Sequence, residues 1–157
     1  MSAHWYNDDA LVTNVAGHVF DVMAMFPKRL IRVDELIHTF MMPLSHMQIL
    51  TLVEREDLSI RQLSERTGVA KPNITPLVDA LRDRGYVSRR KHENDRRVVC
   101  VHLEPAGAEV LSRMRAAVAE QVRAWPKTIS RAEIRGLING LEALRRTMDA
   151  MNTPEAR

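Results

Sequence analysis

Ile60-Arg61-Gln62-Leu63-Ser64-Glu65-Arg66-Thr67-Gly68-Val69-Ala70-Lys71-Pro72-Asn73-Ile74-Thr75-Pro76-Leu77-Val78 is the stretch on which the fold turns. Ser59 stands three residues before Gln62, the spacing of a capping box, and opens a very short helix that stops near Gly68. A second helix runs from about Lys71 to Arg84, carried by Ile74, Leu77, Val78 and Leu81 and stopped by Gly85. As a helix-turn-helix, Ser64 is small where the helices cross, and Gly68 supplies the positive φ that a tight turn needs. Leu63, Val69, Ile74 and Leu77 form the small core that sets the crossing angle. The second helix presents Lys71, Pro72, Asn73 and Thr75 at its N-terminal end, the end that meets base edges when such a helix enters a major groove. Taken alone, the same pattern also fits an ordinary helix pair in a core.

Immediately after this pair the apolar period changes to two. Tyr86-Val87-Ser88-Arg89-Arg90 reads as one strand and Val98-Val99-Cys100-Val101-His102-Leu103 as its partner. The polar tip between them is Lys91-His92-Glu93-Asn94-Asp95-Arg96-Arg97. A helix-turn-helix followed by a two-stranded ribbon with a basic tip is a winged helix. Arg89, Arg90, Lys91, Arg96 and Arg97 are then expected to reach phosphates or a minor groove. The charge distribution agrees. Arg61 to Arg97 holds ten bases and five acids, leaving thirteen bases and fifteen acids elsewhere in a chain of net charge +3. A basic middle between near-neutral ends fits a polyanion partner or, on charge alone, an ordinary solvated charged face; beside a winged helix the expected partner is double-stranded DNA.

Outward from the centre, Val12, Val15, Val19, Phe20, Val22, Met23 and Phe26 mark a helix from Asp8 that Pro27 ends or kinks. The pattern resumes from Leu30 to Phe40, and Pro43 closes this arm. Ser45-His46-Met47-Gln48 reads as another capping box, opening a helix through Val53. Beyond Pro105 and Gly107, a long helix is marked by Val110, Leu111, Met114, Val118, Val122 and Trp125. Pro126 breaks it, and Ser130-Arg131-Ala132-Glu133 caps a last helix carrying Ile134, Leu137, Ile138, Leu141, Leu144 and Met148. The expected fold class is mostly α, an α+β winged helix in one domain over residues 1–157. Residues 45–104 form the winged helix-turn-helix lobe, with dimerisation helices over 8–42 and 105–151. The apolar stripes at both ends are too wide for a small monomer to cover, so a homodimer is expected.

The 157 residues are 45% hydrophobic and 27% charged, with six Gly, seven Pro and one Cys. These values exclude disordered, collagen-like and disulfide-stapled chains. No apolar run reaches the length of a membrane span, and the N-terminal residues lack the profile of a signal peptide, so a cytoplasmic protein without membrane contact is expected.

The run from Leu58 to Leu103 resembles the MarR family of bacterial transcription regulators. The resemblance rests on Leu63-Ser64-Glu65-Arg66-Thr67-Gly68-Val69, Ile74-Thr75-Pro76-Leu77-Val78-Asp79-Ala80-Leu81 and Arg84-Gly85-Tyr86-Val87-Ser88-Arg89-Arg90. Asp95-Arg96-Arg97 and Leu103-Glu104-Pro105-Ala106-Gly107 match as well. It implies a homodimer whose winged helices read a pseudo-palindromic operator, in many members as a repressor released by a small lipophilic ligand. It also implies that Arg97 enters the minor groove, that Asp95 braces it and that Arg96 varies. The recognition positions fall on Lys71, Pro72, Asn73, Thr75 and Pro76. Where the family often has Ser or Asp opening this helix, the chain has Ala70, a cap weaker by about 1 kcal/mol.

Cys100 lies between Val99 and Val101 and reads as a packing group rather than a redox switch. The six histidines show no His-x-x-x-His pair and no second cysteine beside them, so no metal or other cofactor is expected. Phe20, Met23, Phe26, Met47 and Met114 are candidate linings of an effector pocket. No phosphate loop, nucleophile elbow or paired-carboxylate spacing points to an enzyme. The alternatives are a winged helix serving as a protein-interaction module, or a redox- or metal-responsive regulator.

Overall fold

The computed structural model of the protein describes residues 5–92 and 95–151. A single 3-10 turn, Trp5–Asn7, precedes helix α1, Asp9–Met25, and a π-type turn over Phe26–Leu30 follows it. Helices α2, Val33–Phe40, and α3, Leu44–Val53, lead to a two-residue strand β1, Leu58–Ser59. Helices α4, Ile60–Thr67, and α5, Lys71–Asp83, come next, then strands β2, Val87–Lys91, and β3, Val99–Leu103. Two long helices close the chain, α6, Pro105–Arg123, and α7, Arg131–Met151. The winged-helix order read from the sequence is the observed one.

Two of the expected capping boxes form. The Ser59 hydroxyl accepts the Gln62 N–H while the Gln62 side chain accepts the Ser59 N–H. Ser130 and Glu133 make the same reciprocal pair at the start of α7. The box expected at Ser45 does not form. Pro43 is the N-cap of α3, and its carbonyl accepts the N–H groups of both His46 and Met47. Proline locks φ near the value of −58° seen here, so the helix starts at Leu44 and leaves Ser45 inside its first turn.

The ribbon is also part of a larger sheet than the sequence suggests. The strand order is β1-β3-β2, all antiparallel, with Leu58 opposite Val101 and Val87 opposite Leu103. A two-residue strand is too short to show alternation, so its pairing partner alone reveals it.

The core gathers Met42, Ile49, Leu50 and Val53 with Leu58, Leu63, Ile74, Val78 and Leu81. Val87 and Val101 of the sheet and Val110, Leu111 and Met114 of α6 complete it. The winged helix therefore packs as one unit, with the first half of α6 as its lid. The far end of α6 holds the N-terminal arm, where the Trp125 indole donates to the Leu30 carbonyl at 3.1 Å and Gln121 accepts the Arg32 N–H at 2.7 Å. Neither α1 nor α7 buries a residue. No single helix among the described residues is long and apolar enough to cross a membrane.

Candidate nucleic-acid interface

The turn between α4 and α5 is built as the helix-turn-helix reading requires. Gly68 adopts φ 70°, a left-handed conformation that costs a side chain about 1–2 kcal/mol. Thr67 donates to the Leu63 carbonyl and accepts the Val69 N–H, closing the end of α4. Ile74, Val78 and Leu81 point into the core, which leaves the other face of α5 to solvent. Lys71, Pro72, Asn73, Thr75 and Pro76 all lie exposed on its N-terminal half. Ala70 is the N-cap and supplies no side-chain hydrogen bond, as expected from its chemistry. Its carbonyl takes the N–H groups of Asn73 and Ile74 instead.

The wing tip is held by main-chain contacts. The His92 N–H donates to the Val98 carbonyl and the Val98 N–H to the Asp95 carbonyl, both at 2.9 Å. The Asp95 carboxylate accepts the Arg97 backbone N–H at 3.0 Å. Asp95 thus shapes the turn that presents Arg97. Arg96 and Arg97 are exposed and form no ion pair with another described residue. Glu93 and Asn94, part of the expected tip, lie outside the described residues.

Arg89 and Arg90 are placed differently. The Arg89 guanidinium lies 3.1 Å from Asp79 on α5, and Arg90 lies 2.9 Å from Glu104 at the start of α6. The Ser88 hydroxyl donates to the same Glu104 oxygen at 2.5 Å. The hydrogen bond from Ser88 and the Arg90 guanidinium hold the Glu104 carboxyl below the usual carboxylate range. Sequence reasoning missed Asp79 and Glu104 as partners of the wing. The only trace available was the excess of base around them.

Cys100 is buried on β3, and burial followed by the Asp57 charge pushes its thiol up, so little thiolate is present at neutral pH. On the next strand position but one, His102 shares a hydrogen at 2.8 Å with Asp57. Among the described residues no group of three His, Cys, Asp or Glu is placed to hold a metal.

A cavity of about 300 Å³ opens between α2, α3 and α6, lined by Leu36, Met47, Thr51, Leu111, Met114, Arg115 and Val118. It brings together Met47 and Met114 of the expected pocket. Phe20 and Met23 lie elsewhere, on α1, 65% and 64% exposed. The side chain of Phe26 is outside the described residues. Arg115, which nothing in the sequence singles out, makes a two-pronged pair with Glu54, the C-cap of α3, beside the cavity. That pair holds the Glu54 carboxyl low, with the Arg115 hydrogen bond as the main cause.

Residues 42–98 match the model of the MarR family. Over 84 residues the chain is 33% identical to a putative transcriptional regulatory protein for the hcr operon of Thauera aromatica, covering 54% of this chain and 50% of that protein. The chain thus spans about half the length of that curated relative. Its fold is similar to that of a MarR family protein from Bacillus stearothermophilus, with TM-score 0.71 and 21% identity over 90% of this chain and 98% of the other. It is also similar to CouR from Rhodococcus jostii RHA1 bound to p-coumaroyl-CoA, with TM-score 0.60 and 18% identity over 98% and 97% of the two chains.

Proposed function

We propose, from the match of residues 42–98 to the model of the MarR family, that the protein is a sequence-specific DNA-binding transcription regulator acting as a cytoplasmic homodimer. The observation that carries this reading is the exposure of two basic or polar elements of the winged helix. Lys71, Asn73 and Thr75 lie exposed on α5, and the wing tip presents Arg96 and Arg97 without acidic partners among the described residues. In the bound state α5 enters the major groove with Lys71, Pro72, Asn73, Thr75 and Pro76 at the base edges. Arg97 reaches the flanking minor groove, on a turn that Asp95 holds. No chemistry of a reacting centre is needed, and we read the chain as a binding protein rather than an enzyme.

We further propose that it represses transcription by occupying a pseudo-palindromic operator and leaves it when a small lipophilic ligand binds. The support is the cavity between α2, α3 and α6, which joins the winged helix to the arm that holds the dimerisation helices. CouR from Rhodococcus jostii RHA1, similar in fold, is a solved case with p-coumaroyl-CoA bound.

Binding of operator and scrambled duplexes at several salt concentrations tests the assignment. Arg97→Ala weakens binding to both duplexes, because a minor-groove arginine reads width and potential more than base identity. Asn73→Ala relaxes discrimination at one or two positions per half-site by about 1–3 kcal/mol if its contact is bidentate. Half-site centres in a rigid dimer lie about 10 bp apart, so inserting about 5 bp between them abolishes tight binding. Tight binding that survives this insertion, or equal losses for both variants on both duplexes, refutes the reading.

A further inference from the structure

Arg89 and Arg90 are consecutive residues of a strand, so their side chains leave opposite faces of the wing. Each meets a carboxylate fixed to a different helix. On one face Arg89 lies 3.1 Å from Asp79, whose own helix carries the recognition residues. The same Asp79 oxygen lies 3.0 Å from Arg82, one turn along α5, and both contacts are ion pairs in which neither guanidinium N–H is aligned for a hydrogen bond to it. On the other face Arg90 donates to Glu104 at 2.9 Å and to the Ser88 hydroxyl at 3.3 Å, and Ser88 itself donates to Glu104. Glu104 is the N-cap of α6, yet its carboxylate makes no cap hydrogen bond. It is turned to the wing instead, while its N–H donates to the Tyr86 carbonyl at 2.9 Å.

A phosphate that took either guanidinium would displace a carboxylate already in place. It would also strand that carboxylate beside a polyanion, where like charges repel. The tip differs in kind, since Arg96 and Arg97 have no such partners and the one described acid there, Asp95, accepts a backbone N–H. We propose that Arg89 and Arg90 are positioning residues of the wing rather than phosphate contacts, acting through Asp79 and Glu104. Arg89–Asp79 sets the angle between wing and recognition helix, and Arg90–Ser88–Glu104 pins the base of the wing to the start of α6. This assignment rests on the DNA-binding reading and divides the four arginines of the wing into two that hold it, Arg89 and Arg90, and two that face the duplex, Arg96 and Arg97.

Phosphate contacts and positioning contacts differ in the salt dependence of binding. Each phosphate neutralised contributes about one unit to the slope of log affinity against log salt, whereas a positioning pair contributes none directly. The full-length protein is titrated with its operator at four or more salt concentrations, as wild type, Arg89→Gln, Arg90→Gln, Asp79→Asn, Glu104→Gln and Arg97→Gln. The expected result is a loss of roughly two- to fivefold for the first four variants with an unchanged slope. The doubles Asp79→Asn/Arg89→Gln and Glu104→Gln/Arg90→Gln are no weaker than their worse single. Arg97→Gln lowers the slope by about one. In footprints, Asp79→Asn loses protection in the flanks and keeps it at the half-site centres, an effect that general destabilisation would not confine to the flanks.

Three results overturn the assignment: a slope reduced by about one in Arg89→Gln or Arg90→Gln, additive losses in either double, or binding by Asp79→Asn or Glu104→Gln as tight as wild type or tighter. The last is what a phosphate-binding arginine freed from its acid would produce. Wild-type protein that binds no duplex in a salt-dependent way overturns the DNA-binding reading, and this assignment with it.

Discussion

Gly107 lies where the start of α6 passes close to the base of the wing. A Cβ there would lie 2.3 Å from the Tyr86 carbonyl oxygen and 2.6 Å from Leu103 Cδ1. The obstacle is backbone, which does not step aside as the end of a flexible side chain would. Gly107→Ala is therefore expected to cost on the order of 1–3 kcal/mol, read as a lowered midpoint in chemical denaturation, and to shift Tyr86 at the root of β2. His46 is the second informative residue. Its Nδ1 is buried with no hydrogen-bond partner among the described residues, and burial, followed by the charge of Arg84, lowers its pKa from 6.5. The unfolded chain then takes up a proton near pH 6.5 that the folded chain resists. Stability from this source is present above that pH and is lost as the pH falls below it. His46→Leu is expected to flatten the drop in thermal midpoint between about pH 7 and pH 5.5. An unchanged drop in the variant would remove His46 from the account.

At the scale of elements, α5 holds together against its own local sequence. It lacks a side-chain cap at Ala70 and contains Pro76, which removes the N–H that would bond the Pro72 carbonyl. Complete burial of Ile74, Val78 and Leu81 outweighs both defects, at about 1.5–3 kcal/mol per large apolar side chain. Both prolines lie on the exposed face, where water can reach the freed carbonyl. Ala70 already has the extended backbone of a capping residue, φ −58° and ψ 141°. Ala70→Ser is thus expected to raise stability by about 1 kcal/mol in denaturant unfolding without altering the fold. No gain would mean that the turn from Gly68 withholds the cap geometry from a serine hydroxyl.

On the scale of the whole molecule, the core and the terminal helices follow different rules. The winged helix and the first half of α6 bury their apolar residues within one chain. The apolar residues of the terminal helices remain in water, Val15, Val19, Phe20 and Met23 on α1 and Ile138, Leu141, Leu144 and Met148 on α7. Patches of this extent mark association surfaces. Leu137, Leu141, Leu144 and Met148 recur at alternating spacings of four and three, the seam of a packed helix pair. Leu141→Glu with Leu144→Glu is expected to halve the mass seen by light scattering at micromolar concentration and to reduce operator affinity by orders of magnitude as the second half-site is lost. A wild-type mass of one chain under the same conditions would remove the dimer from the proposal.

Much of this architecture is legible in the sequence because it is local. The Ser59 and Ser130 caps, the turn at Gly68, the stop at Gly85 and the change from helical period to period two each depend on residues a few positions apart. Short-range sterics and hydrogen bonding decide them before any packing occurs. Tertiary structure decided what meets across elements. Asp79 and Arg89 are joined because Gly85 turns β2 back along α5, and Ser88 reaches Glu104 across sixteen residues because β3 returns beside β2. Arg115 finds Glu54 sixty-one residues away through the crossing of α6 over α3. Strand β1 exists only because β3 pairs with it, and Pro43 displaced the cap expected at Ser45 by starting α3 earlier. Crossing angles and strand partners are set by how the whole core fills, so whether an arginine faces DNA or a carboxylate of its own chain is invisible in its neighbours along the sequence.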